Sequence, residues 1–422
     1  INGRTTLKVS KRAGSLANTC EPASQSADLD INNVRTKLLN GGDMWWDLNN
    51  PKYEVPKVND PNAVRKHSLF SGAIWIGGKD NGGNLKLAAM TYRQFGSDFW
   101  PGPLDTTTAS TDPLRCKSYD RMWKVTRDEL EDFENSKYTN ISAGIREWPG
   151  GSDRSVKLGA ESDYLAPYKI VNNDGVYNPF DGEHPVLDER RPATENGVDK
   201  QPDMFIWWVY NDKGNVHSES TGQPIGIECQ TTAFAFATND EVNNMTFYST
   251  KIINRGFTTV NDCYMGQWVD ADLGNYADDY VGCDVQRGLS YTYNGDENDA
   301  ACDGVPGYDL LPPAVGVDFF EGPFQDPDGI NNPLTSDLQL VNDQNGIPYE
   351  GIGIGYEDLS LPEGDPKRDN VIDNERFGMR RFVYYNRSDQ TTTPAINGEP
   401  ASAIEFYGYL DGVWMNGEPM IY

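Results

Sequence analysis

The chain has 422 residues and carries 64 Asp and Glu against 36 Lys and Arg, a formal net charge of −28 at pH 7. Such an acidic protein cannot neutralise a row of phosphates, so we expect no nucleic-acid partner. Hydrophobic residues make up 37% and aromatic residues 11% of the chain, which excludes a disordered acidic protein. No apolar run is long enough to cross a bilayer, so no transmembrane segment is expected.

Residues 1–27 are predicted to form an N-terminal arm or linker, because most of residues 14–27 are small or polar. Within this arm, residues 4–9 alternate as a short strand would. The chain begins with Ile1 and not with Met. We therefore expect a mature chain whose export signal has been removed, or else fragment boundaries that were chosen.

Residues 28–165 are predicted to be a turn-rich β region, with strands at residues 70–76 and 85–92. One short helix is expected near residues 126–136. Thr126 and Glu129 have the spacing of a capping box at its start. Leu130 and Phe133 then supply a short apolar stripe.

Residues 166–325 are predicted to be a β-sandwich, and residues 326–422 to add further strands that pack on it. Strands without intervening helices indicate antiparallel sheets packed face to face. The fold class predicted is therefore mainly β: an antiparallel β-sandwich, jelly-roll or immunoglobulin-like, with long loops and one short helix. The strands expected after residue 166 are residues 204–210, 232–238, 245–253, 263–270, 288–293, 314–320, 381–385 and 403–410.

A short pattern, [N/D]-x-D-G-[V/I]-x-N-P, occurs at residues 172–179 and again at residues 326–333. It supplies several oxygen ligands around a tight glycine turn, which is what Ca²⁺ requires. Ile170 and Phe324 stand where an acidic first ligand is expected, so neither loop has the full calcium-loop pattern. The alternative is an Asx turn without an ion. The predicted calcium ligands are Asn172, Asp174, the carbonyl of Val176, Asn178 and Asp181 in the first loop, and Asp326, Asp328, the carbonyl of Ile330 and Asn332 in the second.

A second candidate cation site lies at residues 268–284, at a predicted strand end. If its five carboxylates lost their water together, they would repel one another strongly unless a cation lay between them. A solvated acidic loop and a catalytic carboxylate pair for glycoside cleavage are the alternatives. The five residues are Asp270, Asp272, Asp278, Asp279 and Asp284.

The six cysteines have no C-x-x-C spacing, which excludes zinc ribbons and thioredoxin-type redox sites. Cys283 and Cys302 flank one acidic loop, so a disulfide between them is the most economical prediction. The alternative is that several cysteines are buried thiols in strands, and Cys229 and Cys263 fit that description.

No motif of a known catalytic machinery is present, so we expect no enzyme. The three histidines, His67, His184 and His217, are predicted to be surface or turn residues. The tandem tryptophans Trp45–Trp46 and Trp207–Trp208 are predicted to lie in the core. The alternative is an exposed platform on which a glycan could stack.

Several segments resemble the N-terminal region of large, mostly uncharacterised surface proteins of Bacteroidota that the type IX secretion system exports. The likeness runs from about residue 30 onward. It implies a location outside the cell or on the outer-membrane surface, and in such proteins a C-terminal sorting domain usually follows. The segments that carry the resemblance are residues 40–48, 73–78, 92–94 with 98–103, 268–283 and 312–320.

These observations lead to a functional expectation. We expect a secreted or cell-surface structural protein, either a filament or sheath subunit or an adhesin, stabilised by Ca²⁺. Its partners would be further copies of itself, or cell-surface and glycan partners. Residues 5–9 could add a strand to the sheet of a neighbouring copy. The alternative is a glycan-binding or carbohydrate-active surface protein.

Overall fold

A computed structural model describes most of the chain, and every structural statement below concerns that part. The described residues are 19–93, 95–150, 165–172, 174–187, 194–195, 198–199, 201–302, 304–320, 322–323, 377–385 and 396–420. Strands far outnumber helical turns among them, so the mainly β, antiparallel class is confirmed. The jelly-roll or immunoglobulin-like arrangement stays a prediction.

The strands are short and are joined by turns. In chain order they are β1 (Ser26–Leu29), β2 (Arg35–Leu39), β3 (Asp43–Met44), β4 (Tyr53–Glu54), β5 (His67–Leu69), β6 (Ser71–Lys79), β7 (Leu85–Ala89), β8 (Trp100–Pro101), β9 (Trp123–Thr126), β10 (Thr194–Glu195), β11 (Val198–Asp199), β12 (Met204–Asn211), β13 (Ile227–Ala235), β14 (Phe247–Asn254), β15 (Asn261–Asp270), β16 (Asp279–Asp284), β17 (Leu289–Asn294), β18 (Asn298–Asp299), β19 (Asp309–Leu310) and β20 (Ala314–Asp318).

The helical segments are also short. The α-helices of the described residues are α1 (Pro113–Tyr119), α2 (Arg127–Asn135), α3 (Ala143–Arg146) and α4 (Ala403–Asp411), so the prediction of one helix is wrong in number. Four 3-10 helices accompany them, at Pro179–Asp181, Glu241–Asn244, Tyr276–Asp278 and Val285–Arg287. The predicted capping box is confirmed at α2, where the Thr126 hydroxyl and the Glu129 carboxylate cap each other's backbone N–H.

Two larger antiparallel sheets form the centre of the molecule. The first has the order β15-β6-β3-β2-β4-β5, with β1 added to β2 and β7 added to β6. The second has the order β14-β13-β12-β8, with β9 also paired to β12. A smaller sheet, β16-β17-β20, and the hairpins β10-β11 and β18-β19 complete the described strands.

Strand β12 is buried on both faces, which explains its unbroken run of apolar residues. Met204, Ile206 and Trp208 belong to a core that also takes residues from the first sheet. Phe205 and Trp207 point the other way, into a second core that includes residues of α2 and α3. Alternate residues of a strand face opposite sides, so one strand serves both cores.

Two of the segments singled out in the sequence, residues 40–48 and 92–103, contribute to this interior. Arg93 forms an ion pair with Asp43, and the Trp46 indole donates to the other oxygen of Asp43 at 3.0 Å. Asp98 is fully buried and accepts the backbone N–H of Ala89 and of Glu219, at 3.0 and 3.1 Å. Because buried charges are costly unless they are paired or hydrogen-bonded, these residues fix the packing of the core.

Asp212 shows the same principle at a loop. Its carboxylate accepts the backbone N–H groups of Ile225, Gly226 and Ile227, with nitrogen–oxygen distances of 2.5 to 2.9 Å for the shortest contact of each. Burial raises the pKa of Asp212, and these three donors and His217 act in the opposite direction. The carboxylate thereby holds the start of β13.

One disulfide closes the described fold, between Cys20 and Cys116, whose Cα atoms are 5.8 Å apart. The predicted Cys283–Cys302 bridge is wrong, since both are free, exposed cysteines. Cys283 lies in β16 and Cys302 only in an isolated bridge to Val305, so the acidic loop does not bring the two sulfurs together. Cys229 is a buried thiol as predicted, whereas Cys263 is exposed.

Some predicted elements differ from the structure. Residues 403–410, predicted as a strand, lie in α4, which packs against β6, β7 and β15. Residues 381–385 are described and have no strand. The first sheet begins at Ser26, and Cys20 is buried, so ordered structure starts within the predicted arm. The predicted strand at residues 4–9 lies outside the described residues.

Candidate functional site

The first oxygen-rich loop brings four of its five predicted ligands together. The Asn172 side-chain amide donates to Oδ2 of Asp174 at 3.0 Å and to Oδ2 of Asp181 at 3.3 Å. The Asn178 amide donates to the same oxygen of Asp181 at 2.8 Å. The backbone N–H of Val176 donates to Asp174 at 2.8 Å. The loop therefore satisfies its own carboxylates, as an Asx turn does.

Glu183, which the sequence reasoning missed, stabilises the backbone of this loop. It is buried, and its two carboxylate oxygens accept the backbone N–H of Val171 at 3.2 Å and of Asn178 at 2.8 Å. Gly175 supplies the sharp turn with a φ of 78°. The sequence offered a signal for this residue, because Glu183 lies only two residues after the last predicted ligand, Asp181.

The second oxygen-rich loop cannot be compared with the first. Asp326, Asp328, Ile330 and Asn332 all lie outside the described residues. The prediction of a second calcium loop therefore stays a prediction.

The second candidate cation site does form a cluster of carboxylates. Asp270 is the last residue of β15 and Asp279 is the first residue of β16, with Asp272 in the turn that follows β15. The Tyr92 hydroxyl donates to Asp270 at 2.7 Å, and the Leu273 backbone N–H donates to Asp279 at 2.8 Å. We call Asp270, Asp272 and Asp279 the acidic cluster.

The acidic cluster shifts the protonation of its members. Burial, followed by the negative charges of Asp270 and Asp279, raises the pKa of Asp272 to about 8. Burial, followed by the charges of Asp299 and Asp278, raises the pKa of Asp279 to about 7 against one lowering hydrogen bond from Leu273. The pKa values of two carboxyl groups therefore lie near neutral pH.

Unsatisfied oxygens accompany this charge. Among the described residues, Oδ1 of Asp278 and Oδ1 of Asp279 are shielded from water and have no hydrogen-bond partner. Asp299, which the sequence reasoning missed, is fully buried, but its oxygens accept the N–H groups of Asn275 at 3.1 Å and Tyr308 at 2.6 Å. A buried acceptor without a donor is costly, so the site favours a proton or a cation.

Asp284 does not join the acidic cluster. It caps the 3-10 helix Val285–Arg287 and pairs with the Arg287 guanidinium. Its side chain belongs to the opposite face of β16 from Asp279, because successive residues of a strand alternate.

Chemically, the acidic cluster could hold a hard cation or a transferable proton. Carboxylate oxygens suit Ca²⁺, and a carboxyl group with a raised pKa can also serve as an acid. Within the described ranges, no group of three or more His, Cys, Asp or Glu side chains has the arrangement of a metal site. A cation would therefore require the carboxylates to move closer together.

His184, His217 and the tandem tryptophans lie in the interior, whereas His67 is half-buried at the start of β5. Trp45, Trp46, Trp207 and Trp208 are all buried, so they do not form an exposed platform. His184 and His217 are buried too, so neither is a surface residue, and both lie outside the helices and strands. The ring nitrogens of His217 lie 2.7 Å from the carbonyl oxygens of Leu87 and Asp212.

No family model, no curated protein and no solved structure matches the chain. In the part of the chain that the structure describes, none of the helices has the length and apolar character needed to cross a membrane.

Proposed function

We propose that the chain is a calcium-stabilised structural or adhesive protein of the cell exterior. The acidic cluster is the observation that carries the calcium part of this proposal. Asp272 and Asp279 have strongly raised pKa values, and buried oxygens of Asp278 and Asp279 have no donor among the described residues. A divalent cation would neutralise the repulsion and supply the missing partner at once.

The disulfide supports the extracellular part of the proposal. Disulfides persist in oxidising compartments and are rare in the cytosol. Cys20 and Cys116 are both buried where they join, next to Trp100. The bridge is thus part of a buried cluster with Trp100.

Calcium binding is tested by thermal unfolding of the purified protein, with added CaCl₂ and with a chelator. At a calcium concentration 100-fold above Kd, binding to the folded state alone adds about 2.7 kcal/mol of stability. We expect the melting temperature to rise with calcium in a saturable way. Identical melting curves in calcium and in chelator would count against the proposal.

A structural role is supported by where the distinctive segments lie. Asp43, Arg93 and Asp98 are held inside the fold, where they join loops to the core. In the described part, β14 pairs only with β13 and β15 pairs only with β6, so each has a free edge. Free edges accept strands from other chains.

An apolar cavity lies between these two edge strands. Its volume is about 520 Å³, and its lining includes Ile76, Ile227, Ile252 and Met265. A strand that paired with either edge could bury apolar side chains there. This supports association of the chain with itself, with residues 5–9 as the candidate added strand.

The assembly proposal is tested by deleting residues 1–18. This deletion keeps Cys20 and therefore the disulfide, whereas a deletion to residue 25 would remove it. We expect the shortened protein to melt like the full chain and to form no polymers by electron microscopy and light scattering. Polymers of unchanged length from the shortened protein would refute this route.

Glycan binding is the second candidate function. The tandem tryptophans no longer support it, because they are buried. A different surface favours it: three exposed tyrosines on the outer face of the β16-β17-β20 sheet.

A further inference from the structure

The outer face of the β16-β17-β20 sheet carries a row of tyrosines. Tyr280, Tyr293 and Tyr291 are 59%, 44% and 38% exposed. Tyr280 and Tyr293 are cross-strand neighbours, so their side chains share a face. On the opposite face, Thr292 is buried and Val315 and Val317 pack against the core. We call Tyr280, Tyr291 and Tyr293 the tyrosine row.

The rings of the tyrosine row form a nearly continuous surface. The centroids of Tyr280 and Tyr293 are 5.9 Å apart with 27° between the ring planes. Those of Tyr293 and Tyr291 are 6.1 Å apart with 36° between the planes. Three rings of similar orientation thus follow one another across two strands.

Glycines let two of these rings lie flat against the backbone. A Cβ added at Gly282 would collide with the Tyr291 ring, whose three nearest atoms to that point are Cζ, Oη and Cε2. A Cβ added at Gly295 would meet Cε2 of Tyr280 at 2.5 Å. Tyr291 is also flanked on its other side by Gly316. Each ring therefore rests one face on a glycine and leaves the other face accessible.

The charge around the row is negative. None of the strands β16, β17 and β20 contains Lys or Arg. Asp284 and Asp318 both lie opposite Leu289 at one end of the face, and Asp296 and Glu297 are exposed just beyond Gly295 at the other. Among the described residues, Arg287 follows β16 at this end of the face and is paired with Asp284. Such a rim repels phosphate, sulfate and uronate groups.

We propose that the tyrosine row binds a chain of neutral sugars. The C–H edges of a sugar ring suit the negative faces of the aromatic rings, and its hydroxyl groups can donate to the carboxylates of the rim. The negative rim selects against anionic polysaccharides and against nucleic-acid bases, which stack on aromatic rings but need a basic groove. This inference deepens the glycan-binding function named above as the second candidate and rests on it.

The shape of the row separates this partner from a cationic one. Cation–π recognition favours aromatic rings that surround a charge. Here the rings lie side by side at spacings of 5.9 and 6.1 Å and present one open surface. An extended polymer of flat rings matches this surface better than a point charge does.

The test is native gel electrophoresis of the full chain in gels that contain a neutral polysaccharide: dextran, laminarin, hydroxyethyl cellulose or galactomannan. We expect retardation by at least one of them. The triple variant Tyr280→Ala/Tyr291→Ala/Tyr293→Ala should bind it at least ten-fold more weakly. Because all three side chains are exposed, its melting temperature should stay close to that of the parent.

Two controls isolate the geometry. Tyr276→Ala removes a tyrosine that is 53% exposed but lies outside the row, and it should leave retardation unchanged. Gly282→Ala keeps every ring but displaces Tyr291, and it should weaken binding at least three-fold. Gly316→Ala is its matched control, since a Cβ there meets only the end of the Leu289 side chain and one backbone oxygen.

Several results would overturn the inference. They are no retardation by any of the four polysaccharides, undiminished retardation of the triple variant, or a loss of binding to poly-L-lysine or alginate in that variant instead. Calcium-dependent melting is a separate measurement. If melting depends on calcium but none of the four polysaccharides retards the protein, this inference is refuted and the calcium proposal stands.

Discussion

Two regions of the molecule bury carboxylates in opposite ways. In the interior of the two large sheets, each of Asp43, Asp98 and Asp212 is matched by a guanidinium, an indole or backbone N–H groups. In the acidic cluster, Asp272 and Asp279 face other carboxylates, and their pKa values rise to about 8 and about 7. Burial is common to both regions, so the two regions differ in the number of hydrogen-bond donors and cations that face each carboxylate.

The acidic cluster should respond to the solution around it, whereas the carboxylates between the two large sheets should not. A carboxylate that already has its donors needs nothing from solution, and its removal leaves the partners unsatisfied. A carboxylate that lacks donors responds to protons and to cations. We therefore expect mutations in the first region to act at every pH and calcium concentration, and those in the second to act conditionally.

The disulfide should give the largest effect in the first region. Replacing Cys116 by Ser opens a loop that spans 96 residues of sequence, and in the chain-entropy treatment this costs about 4 to 5 kcal/mol. Denaturant unfolding under non-reducing conditions measures the change. Cys283→Ser is the matched control and should have no comparable effect, because Cys283 is free. Equal losses in the two variants would contradict the observed pairing.

The Asp43–Arg93 ion pair should give the next largest effect. Arg93→Ala leaves a fully buried carboxylate without its cation, which costs about 3 to 5 kcal/mol. Arg287→Ala breaks an exposed pair with Asp284 and should cost at most about 1 kcal/mol. Denaturant midpoints in the presence and absence of calcium provide the measurement. If calcium restored the stability that Arg93→Ala loses, the distinction between the two regions would be wrong.

The pH dependence of stability should reveal the acidic cluster. The folded-state pKa of Asp272 is raised from 3.8 to about 8, so the folded protein holds a proton that the unfolded chain has lost between these values. Metal-free stability from this group is therefore complete below pH 4 and decreases as the pH rises toward 8. The calcium ion that we propose to bind here would compete with that proton, so we expect its stabilising effect to grow over the same interval. Melting curves at pH 5 and pH 8, with and without chelator, measure both trends.

Asp272→Asn should have the smallest and most diagnostic effect. The neutral amide removes the repulsion, so in chelator at pH 8 the variant should melt a few degrees higher than the parent. It should also lose most of the calcium response. Asp284→Asn, on the other face of β16, should keep that response. A full calcium response in Asp272→Asn would place the cation elsewhere.

Local patterns in the sequence predicted much of the β structure. The strand at residues 204–210 was recognisable because it is apolar throughout, as burial on both faces demands. The capping box at Thr126 and Glu129 was recognisable because both partners lie within one turn. Such features depend on residues that are close in the chain, so they can be predicted from the sequence.

Residues 403–410 show where local patterns mislead. Their apolar and aromatic side chains fit a strand as well as a helix, and Phe406, Tyr407 and Tyr409 are buried in α4. Gly412, in the left-handed conformation that ends the helix, was a signal that could have decided the question. Packing against β6, β7 and β15 stabilises the helical form.

The candidate sites were predictable in part. The acidic run identified Asp270, Asp272 and Asp279, but not Asp299, which reaches the cluster from β18. The Cys20–Cys116 pairing joins residues 96 apart, and no spacing rule specifies it. The tyrosine row depends on the register of β16 and β17 and on glycines that face the rings. Each of these requires the fold to be known.

The disulfide between Cys20 and Cys116 also has a mechanical consequence. A chain pulled from its two ends lengthens by about 3.3 to 3.6 Å for each residue that unravels. The 96-residue span enclosed by the bridge cannot contribute, which withholds roughly 320 to 350 Å of extension. Under a pulling force, the strands β1 to β8 would remain inside a loop closed by the disulfide, while the strands after Cys116 could extend fully.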